Sequence, residues 1–223
     1  MSGKTLAVIG GTGPQGRGLA LRWALAGYQV VIGSRNAERA QEVAEKLNER
    51  VPEAAHPITG AGNAQATAQA DVFVVVTVPY SAHVSTLQSI QEHLGGKIVV
   101  DVTVPLAEGN PKKMDMPPEG SATEQAQALL GPEIPVVAAF QNVSASVLED
   151  LDSPVNCDIL ICGNHKPSKD QVIALTESIG CTAYNVGLAA SARCVESLTS
   201  ILIRLNISKS YPQLRHAGIR VVS

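Results

Sequence analysis

The sequence predicts an α/β protein of Rossmann type, a doubly wound and mainly parallel sheet with a small C-terminal helical appendage. Three observations carry that expectation. The stretch Thr5 to Arg35, TLAVIGGTGPQGRGLALRWALAGYQVVIGSR, reads strand, glycine-rich turn, helix, strand, at about the length of a βαβ unit. Later apolar runs are short and branched, as buried parallel strands require, with Val72 to Val76 the clearest. The 223 residues are 45% apolar, enough for one large core built mostly from Ala, Val, Leu and Ile.

The first strand is Leu6 to Ile9. The turn behind it, Gly10-Gly11-Thr12-Gly13-Pro14-Gln15-Gly16, fits G-x-G-x-x-G through Gly11, Gly13 and Gly16. A strand before it and a helix after it make it a dinucleotide fingerprint, because the tight turn excludes Cβ atoms and the backbone must approach a pyrophosphate. The free N–H groups of the helix start then meet phosphate oxygens. Gly10, Gly13 and Gly16 also fit G-x-x-G-x-x-G, so spacing alone leaves the short-chain dehydrogenase type of turn open. Leu19, Ala20, Trp23 and Ala24 recur at helical spacing, and Gly27 is placed to end the helix.

The second strand, Val30 to Ile32, ends at Gly33-Ser34-Arg35, with Arg39 one helical turn on. An NAD site usually carries an Asp or Glu here to grip the ribose 2′-hydroxyl. A hydroxyl and two guanidiniums suit a 2′-phosphate instead, through charge-assisted hydrogen bonds. Ser34, Arg35 and Arg39 therefore predict NADP(H) over NAD(H).

Asn36 is placed to cap the next helix, whose stripe is Ala37, Ala40, Val43, Ala44 and Leu47. A short strand is expected near Ile58, then a small helix capped by Asn63. The strand Val72 to Val76 ends in Thr77-Val78-Pro79, on the edge where ligands sit in open sheets. Tyr80 to Leu94 reads as one helix. His83 on its first turn has two readings: contact with a nicotinamide ribose or phosphate, or exposure on the helix. Ile98 to Asp101 is the next strand, followed by a Gly- and Pro-rich loop, Ala107 to Gly120, long enough for a lid or dimer arm. Ser121 to Glu124 is a capping box. Strands follow at Val136 to Ala139, Asp158 to Cys162 and Thr182 to Val186, with helices at Ser168 to Ile179 and Ser191 to Leu205.

Net charge is −3, with no basic run, which argues against nucleic acid. No stretch approaches the length of a membrane span, and the N-terminus has no signal-peptide pattern. Cys157, Cys162, Cys181 and Cys194 form no C-x-x-C or zinc pattern, so free thiols and a cytoplasmic setting are expected, with no metal. No tyrosine is followed by lysine at the Tyr-x-x-x-Lys spacing, and no nucleophile elbow is present. A dinucleotide site without an evident acid favours transfer between two cofactor rings, which rests mainly on alignment; no catalytic side chain is assigned.

The segments Gly10-Gly11-Thr12-Gly13-x-x-Gly16-x-Gly18-Leu19-Ala20, Gly33-Ser34-Arg35, Thr77-Val78-Pro79, Val136 to Ala145, Cys162-Gly163 and Arg193-x-Val195-Glu196-Ser197-Leu198-Thr199 together resemble the coenzyme F420-dependent NADP oxidoreductases. The resemblance implies a Rossmann domain over residues 1–187 and a helical segment, 188–223, covering the nicotinamide and deazaflavin. It implies reversible hydride transfer between NADP(H) and coenzyme F420. Thr12, Gly13, Pro14 and Gln15 would hold phosphates. Val78, Val104 and Ala145 would line the nicotinamide, with His83 matching a family histidine after a one-residue shift. Val143 and Ala217 would pack near the deazaflavin. Family members often carry histidine where this chain has Gln141, and proline where it has Ser144. Competing expectations are a reductase of another acceptor, such as a flavin, an imine or a metal ion through a flavin, and a non-catalytic NADP(H) sensor. A homodimer through the apolar C-terminal helix is expected. Replacing Arg35 with Ala should weaken NADPH binding by roughly 1.5–3 kcal/mol, about tenfold to a hundredfold in a direct titration; an unchanged Kd would remove the 2′-phosphate assignment.

Overall fold

The structure, a computed structural model, describes residues 3–222. Uncharged β-branched and aliphatic runs supply the central strands β1, β2, β4 and β8 and most of β5, which ends in Asp101. The strands are β1 (Thr5–Ile9), β2 (Gln29–Ser34), β3 (Thr59–Gly62), β4 (Phe73–Val76), β5 (Ile98–Asp101), β6 (Leu106–Ala107), β7 (Asn110–Met114), β8 (Val136–Ala138), β9 (Ile159–Gly163) and β10 (Ala183–Asn185). The helices are α1 (Pro14–Leu25), α2 (Ala37–Asn48), α3 (Asn63–Gln69), α4 (His83–Ile90), α5 (Ala122–Leu130), α6 (Ala145–Glu149), α7 (Lys166–Glu177) and α8 (Ala192–Asn206).

The main sheet has eight strands in the order β10-β9-β8-β5-β4-β1-β2-β3. Pairing is parallel from β3 to β8. The chain turns antiparallel at β8–β9, and β10 runs parallel to β9. The winding direction switches between β1 and β4, so the strand ends there open a crevice. Strand alternation splits the core in two. Leu6, Val8, Val75 and Val100 face α1 and its neighbours, while Ala7, Ile9, Val74 and Val99 pack with Leu87 and Ala126 on the other side. Trp23 anchors the first layer, meeting Phe140 edge-to-face at 5.7 Å and donating its indole N–H to the Leu175 carbonyl.

Several elements differ from their sequence expectation. The predicted helix from Tyr80 to Leu94 is α4 flanked by tight 3₁₀ turns, Tyr80–Ala82 and Gln91–His93. No side chain caps the N-terminal end of any of the three, whereas Lys97 Nζ donates to the His93 carbonyl at the far end; the tighter bonds close the terminal turns. The expected Ala107 to Gly120 loop contains the hairpin β6–β7, turned at Glu108-Gly109 with Gly109 at φ +70°. Its polar second strand, Asn-Pro-Lys-Lys-Met, has no apolar alternation to announce it. Asn63 does not cap α3; Gly62 occupies that position and Asn63 is left free. The chain after α8 folds back on the start of β9, where Ile219 O accepts from Asp158 N and Val221 N donates to the Asp158 carboxylate.

The cysteines are free, as expected. Burial pushes the thiols of Cys157 and Cys162 up to about 12 and that of Cys181 up to about 11, which keeps them protonated and inert. No helix among the described residues is long and apolar enough to cross a membrane.

α6 lies directly on Gly18 of α1. A Cβ there would sit 2.5 Å from Leu148 Cβ and 2.9 Å from its carbonyl carbon. Arg22 pins that backbone by donating to the carbonyls of Val147, Leu148 and Asp150, so α6 has little room to yield. Gly18→Ala should cost roughly 1–3 kcal/mol by overpacking, lowering Tm by about 2–10 °C with the Kd for NADPH unchanged. An unaltered Tm in a thermal scan would show that α6 moves freely.

Candidate functional site

The β1–α1 turn is built by contacts only glycine allows. Gly10 has φ +78°. A Cβ on Gly11 would lie 2.7 Å from Val8 O and 2.6 Å from Ile32 Cβ, and one on Gly16 would lie 2.6 Å from Gly11 Cα. The N–H groups of Gly10 and Gly11 both reach Gly33 O at 3.1 Å, tying the turn to the end of β2. Gly13 caps α1, Pro14 opens it, and no carboxylate occupies its first turn. Its unpaired amides and positive dipole end therefore face an anion-sized opening.

That opening is a groove of about 650 Å³. Thr12, Gly13, Pro14 and Gln15 are among its lining residues. Ser34, Arg35 and Arg39, at and just beyond the end of β2, line it, as do Val78 and Pro79 after β4. Asn36 holds the Arg39 backbone, accepting its N–H at 2.7 Å, and Ser34 Oγ accepts from Asn36 N at 3.2 Å. Neither the Arg35 nor the Arg39 guanidinium makes an ion pair or side-chain hydrogen bond among the described residues. Two unspent cations beside a hydroxyl fit a phosphate monoester. Asn63 Oδ1 is buried without a partner in the same groove. The sequence reading missed this residue by spending it on a helix cap. Gly11 and Gly16 are buried and shape the turn rather than line the groove.

A second cavity, of about 230 Å³, lies between the segment after β8 and α8. Its walls bring Val143 and Ala145 together with Ala217, more than seventy residues further along the chain, and with Gln141, Thr199 and Asn206. The wall is heavily tied. Phe140, at φ +69°, is the one non-glycine residue in left-handed conformation among those described. Its carbonyl accepts from Gln15 Nε2 at 3.2 Å, which joins this wall to the phosphate turn. Thr199 Oγ1 donates to Gln141 O at 2.7 Å, and Gln141 Nε2 donates to Asp101 O at 2.8 Å. Asn206 Oδ1 accepts from Ala217 N at 2.7 Å, seating the tail. Val104 lies half-buried beyond β5, outside both linings.

The family model described as NADP oxidoreductase coenzyme F420-dependent matches residues 5–105. The F420-dependent NADP reductase of Methanocaldococcus jannaschii is 43% identical over 98% of both chains, and that of Methanothermobacter marburgensis 42% over the same shares. The chain belongs to the coenzyme F420-dependent NADP oxidoreductase family. Among solved structures, a putative F420-dependent NADP-reductase from Arthrobacter sp. FB24 superposes with a TM-score of 0.79 at 28% identity, covering 99% of this chain and 100% of that one.

His83 corrects both sequence readings for this family member. It is fully buried, neither on the groove lining nor in solvent. Its Nε2 lies 3.1 Å from Asp101 Oδ2, a contact that becomes an ion pair when the ring is protonated. Burial, the largest single influence, lowers the His83 pKa; the Asp101 charge, hydrogen bonding to that carboxylate and the Glu196 charge together outweigh it, and the net direction is up. Glu196, named above only within the segment Arg193 to Thr199 that carries the family resemblance, is also fully buried. It accepts from Ala122 N, Thr123 N and Thr123 Oγ1 at 2.9–3.1 Å. Burial raises its pKa to about 7, against the pull of the Ala122 amide and with help from Asp101. The available signal was its place on the α8 stripe, with Ala192, Val195 and Leu202.

Both groups bind their protons more tightly folded than unfolded. Their stabilisation is complete below the unfolded values, near 4.5 for Glu196 and 6.5 for His83, and is lost as pH rises through the higher folded ones. Unfolding free energy should therefore fall by about 1–3 kcal/mol between pH 5 and pH 8. Glu196→Gln should flatten that fall in urea titrations. A wild-type profile that rises over this range would contradict the assignment.

Proposed function

We propose that this protein transfers a hydride reversibly between NADP(H) and the deazaflavin coenzyme F420. One observation carries the reading beyond family membership: the groove and the second cavity are lined without a carboxylate, imidazole or ammonium, and their only charges are Arg35 and Arg39. Carbonyl reduction needs a proton donor at the reacting oxygen. Transfer between two delocalised rings needs alignment and dryness.

When bound, the two coenzymes supply the chemistry, and the chain's residues orient them. The turn Thr12 to Gln15 and the start of α1 hold the pyrophosphate. Ser34, Arg35 and Arg39 hold the 2′-phosphate and so select NADP(H). Asn63 offers its free carbonyl oxygen to a donor on the adenosine half. Val78, Val104 and Ala145 give the nicotinamide an apolar bed, with Val104 reaching it from the rim of β5. Val143 and Ala217 flank the acceptor ring, and the segment from residue 188 onward covers both rings from water. The bridge from Gln15 to Phe140 supports placing the two ring sites side by side. Ile201 and Ile207, more than half exposed, support a homodimer through α8. The free cysteines support a reducing, cytoplasmic setting.

NADPH mixed with oxidised F420, with free flavin, or with neither separates the readings by absorbance. Turnover is expected only with F420, and NADH should be at least about tenfold less effective than NADPH, the loss of a charge-assisted contact. Turnover with flavin alone, or tight NADPH binding with no acceptor reduced, would overturn the proposal.

A further inference from the structure

We propose that Glu196 is a positioning residue for hydride transfer: by gripping the first turn of α5 it fixes the register of α8, and through Thr199 it sets the wall of the acceptor cavity. This rests on the reading that the cavity receives the deazaflavin.

A buried carboxylate on an apolar helix face is costly, and a leucine would fill the space at less expense. What Glu196 supplies is geometry. Its Oε2 takes the Ala122 amide at 2.9 Å, and its Oε1 takes both the amide and hydroxyl of Thr123. Ser121 Oγ takes the next amide, that of Glu124, at 3.1 Å. The first three N–H groups of α5 are thereby all satisfied, two of them by α8. Nearer the surface, Arg193 of α8 makes a two-pronged contact with Glu124 at 2.8 Å. The two contacts are three residues apart on α8, and together they prevent it from sliding or rotating on α5.

Thr199 is the next residue on the same face. It donates to Gln141 O, and the far end of Gln141 is held by the Asp101 backbone. Leu202, Ile203 and Asn206, further along α8, complete the cavity wall. A shift of α8 would move one side of the cavity while leaving the groove on β1, α1 and β2 in place.

The ionised carboxylate can accept all three of its hydrogen bonds; the protonated acid places an O–H where one oxygen must accept. The groups facing it are Asp101 of β5, His83 of α4, Tyr80 before α4 and Cys162 of β9, with the Arg193–Glu124 pair at the rim of the α5–α8 contact. Its pKa of about 7 makes the grip titrate at neutral pH. Stability and positioning then run in opposite directions: lowering the pH stabilises the fold but loosens the grip. A residue with a merely structural role would not separate the two.

The test uses the full chain as wild type, Glu196→Gln and Thr199→Val. Glu196→Gln should lower kcat/KM for F420 by about tenfold, the cost of one lost charge-assisted hydrogen bond, mainly through KM. The Kd for NADPH should stay within about twofold, inside the error of near-neutral changes. Wild-type kcat/KM for F420 should fall as the pH drops through about 7, and the variant should lack that inflection. With neither coenzyme present, hydrogen exchange over residues 121–126 and 141–146 should speed up in Glu196→Gln. Unchanged F420 kinetics at every pH, or unchanged exchange over 141–146, would overturn the proposal. If Glu196→Gln does not fold, Thr199→Val decides, because it should loosen 141–146 and weaken F420 use while 121–126 stays protected; no change in either would refute the link. A wild type inert toward F420 would sink the functional reading, and the exchange data would still judge Glu196.

Discussion

The close approach of the β1–α1 turn to β2 is the constraint on which the rest of the molecule depends. Gly11 sits against Ile32 and Val8, and Gly16 sits against Gly11, at distances no side chain would tolerate. That packing lowers the start of α1 onto the strand ends and aims its free amides into the crevice. Everything else in the site is referenced to it. The arginine end is fixed because Gly33 O holds the amides of Gly10 and Gly11. The ring end is fixed because Gln15, on the first turn of α1, holds the Phe140 carbonyl. One glycine-lined turn thus connects the nucleotide end of the groove to the wall of the second cavity.

The two halves of the site are held by different physics. The groove is local: a single βαβ unit and the end of β4 supply most of it, and its specificity comes from unspent charge. The second cavity is assembled from segments more than fifty residues apart, and side-chain hydrogen bonds to backbone carbonyls and to the Ala217 amide fix its walls. Buried charge supports it from below, through His83, Asp101 and Glu196, without any of the three reaching the lining. This division suits an enzyme in which one coenzyme is gripped by phosphate and the other is presented to it as a flat ring.

Legibility in the sequence followed the same division. The groove was readable because a glycine spacing, a helix start and a strand end lie within thirty-five residues, each with its own physical signature. The parallel strands were readable from length and branching. The hairpin β6–β7 was not, because its Asn-Pro-Lys-Lys-Met strand is polar and pairs only with two residues. Asn63 was misassigned because an asparagine before an alanine-rich stretch is the usual mark of a cap, and Gly62 took that role by backbone geometry alone. His83 and Glu196 were hidden for another reason. A titratable residue on a helix reads as solvated unless its partner is known, and their partners lie on β5 and α5, eighteen and more than seventy residues away. Val143, Ala145 and Ala217 came from family resemblance rather than from any periodicity.

Phe140 closes the loop between core and site. Its left-handed backbone turns the chain from β8 into the cavity wall, and its ring rests edge-on against Trp23. Trp23 is the chain's only tryptophan. The indole is therefore a built-in optical reporter at the root of the segment that walls the second cavity. Its emission comes from one known place, and any rearrangement of that segment on coenzyme binding passes next to the fluorophore.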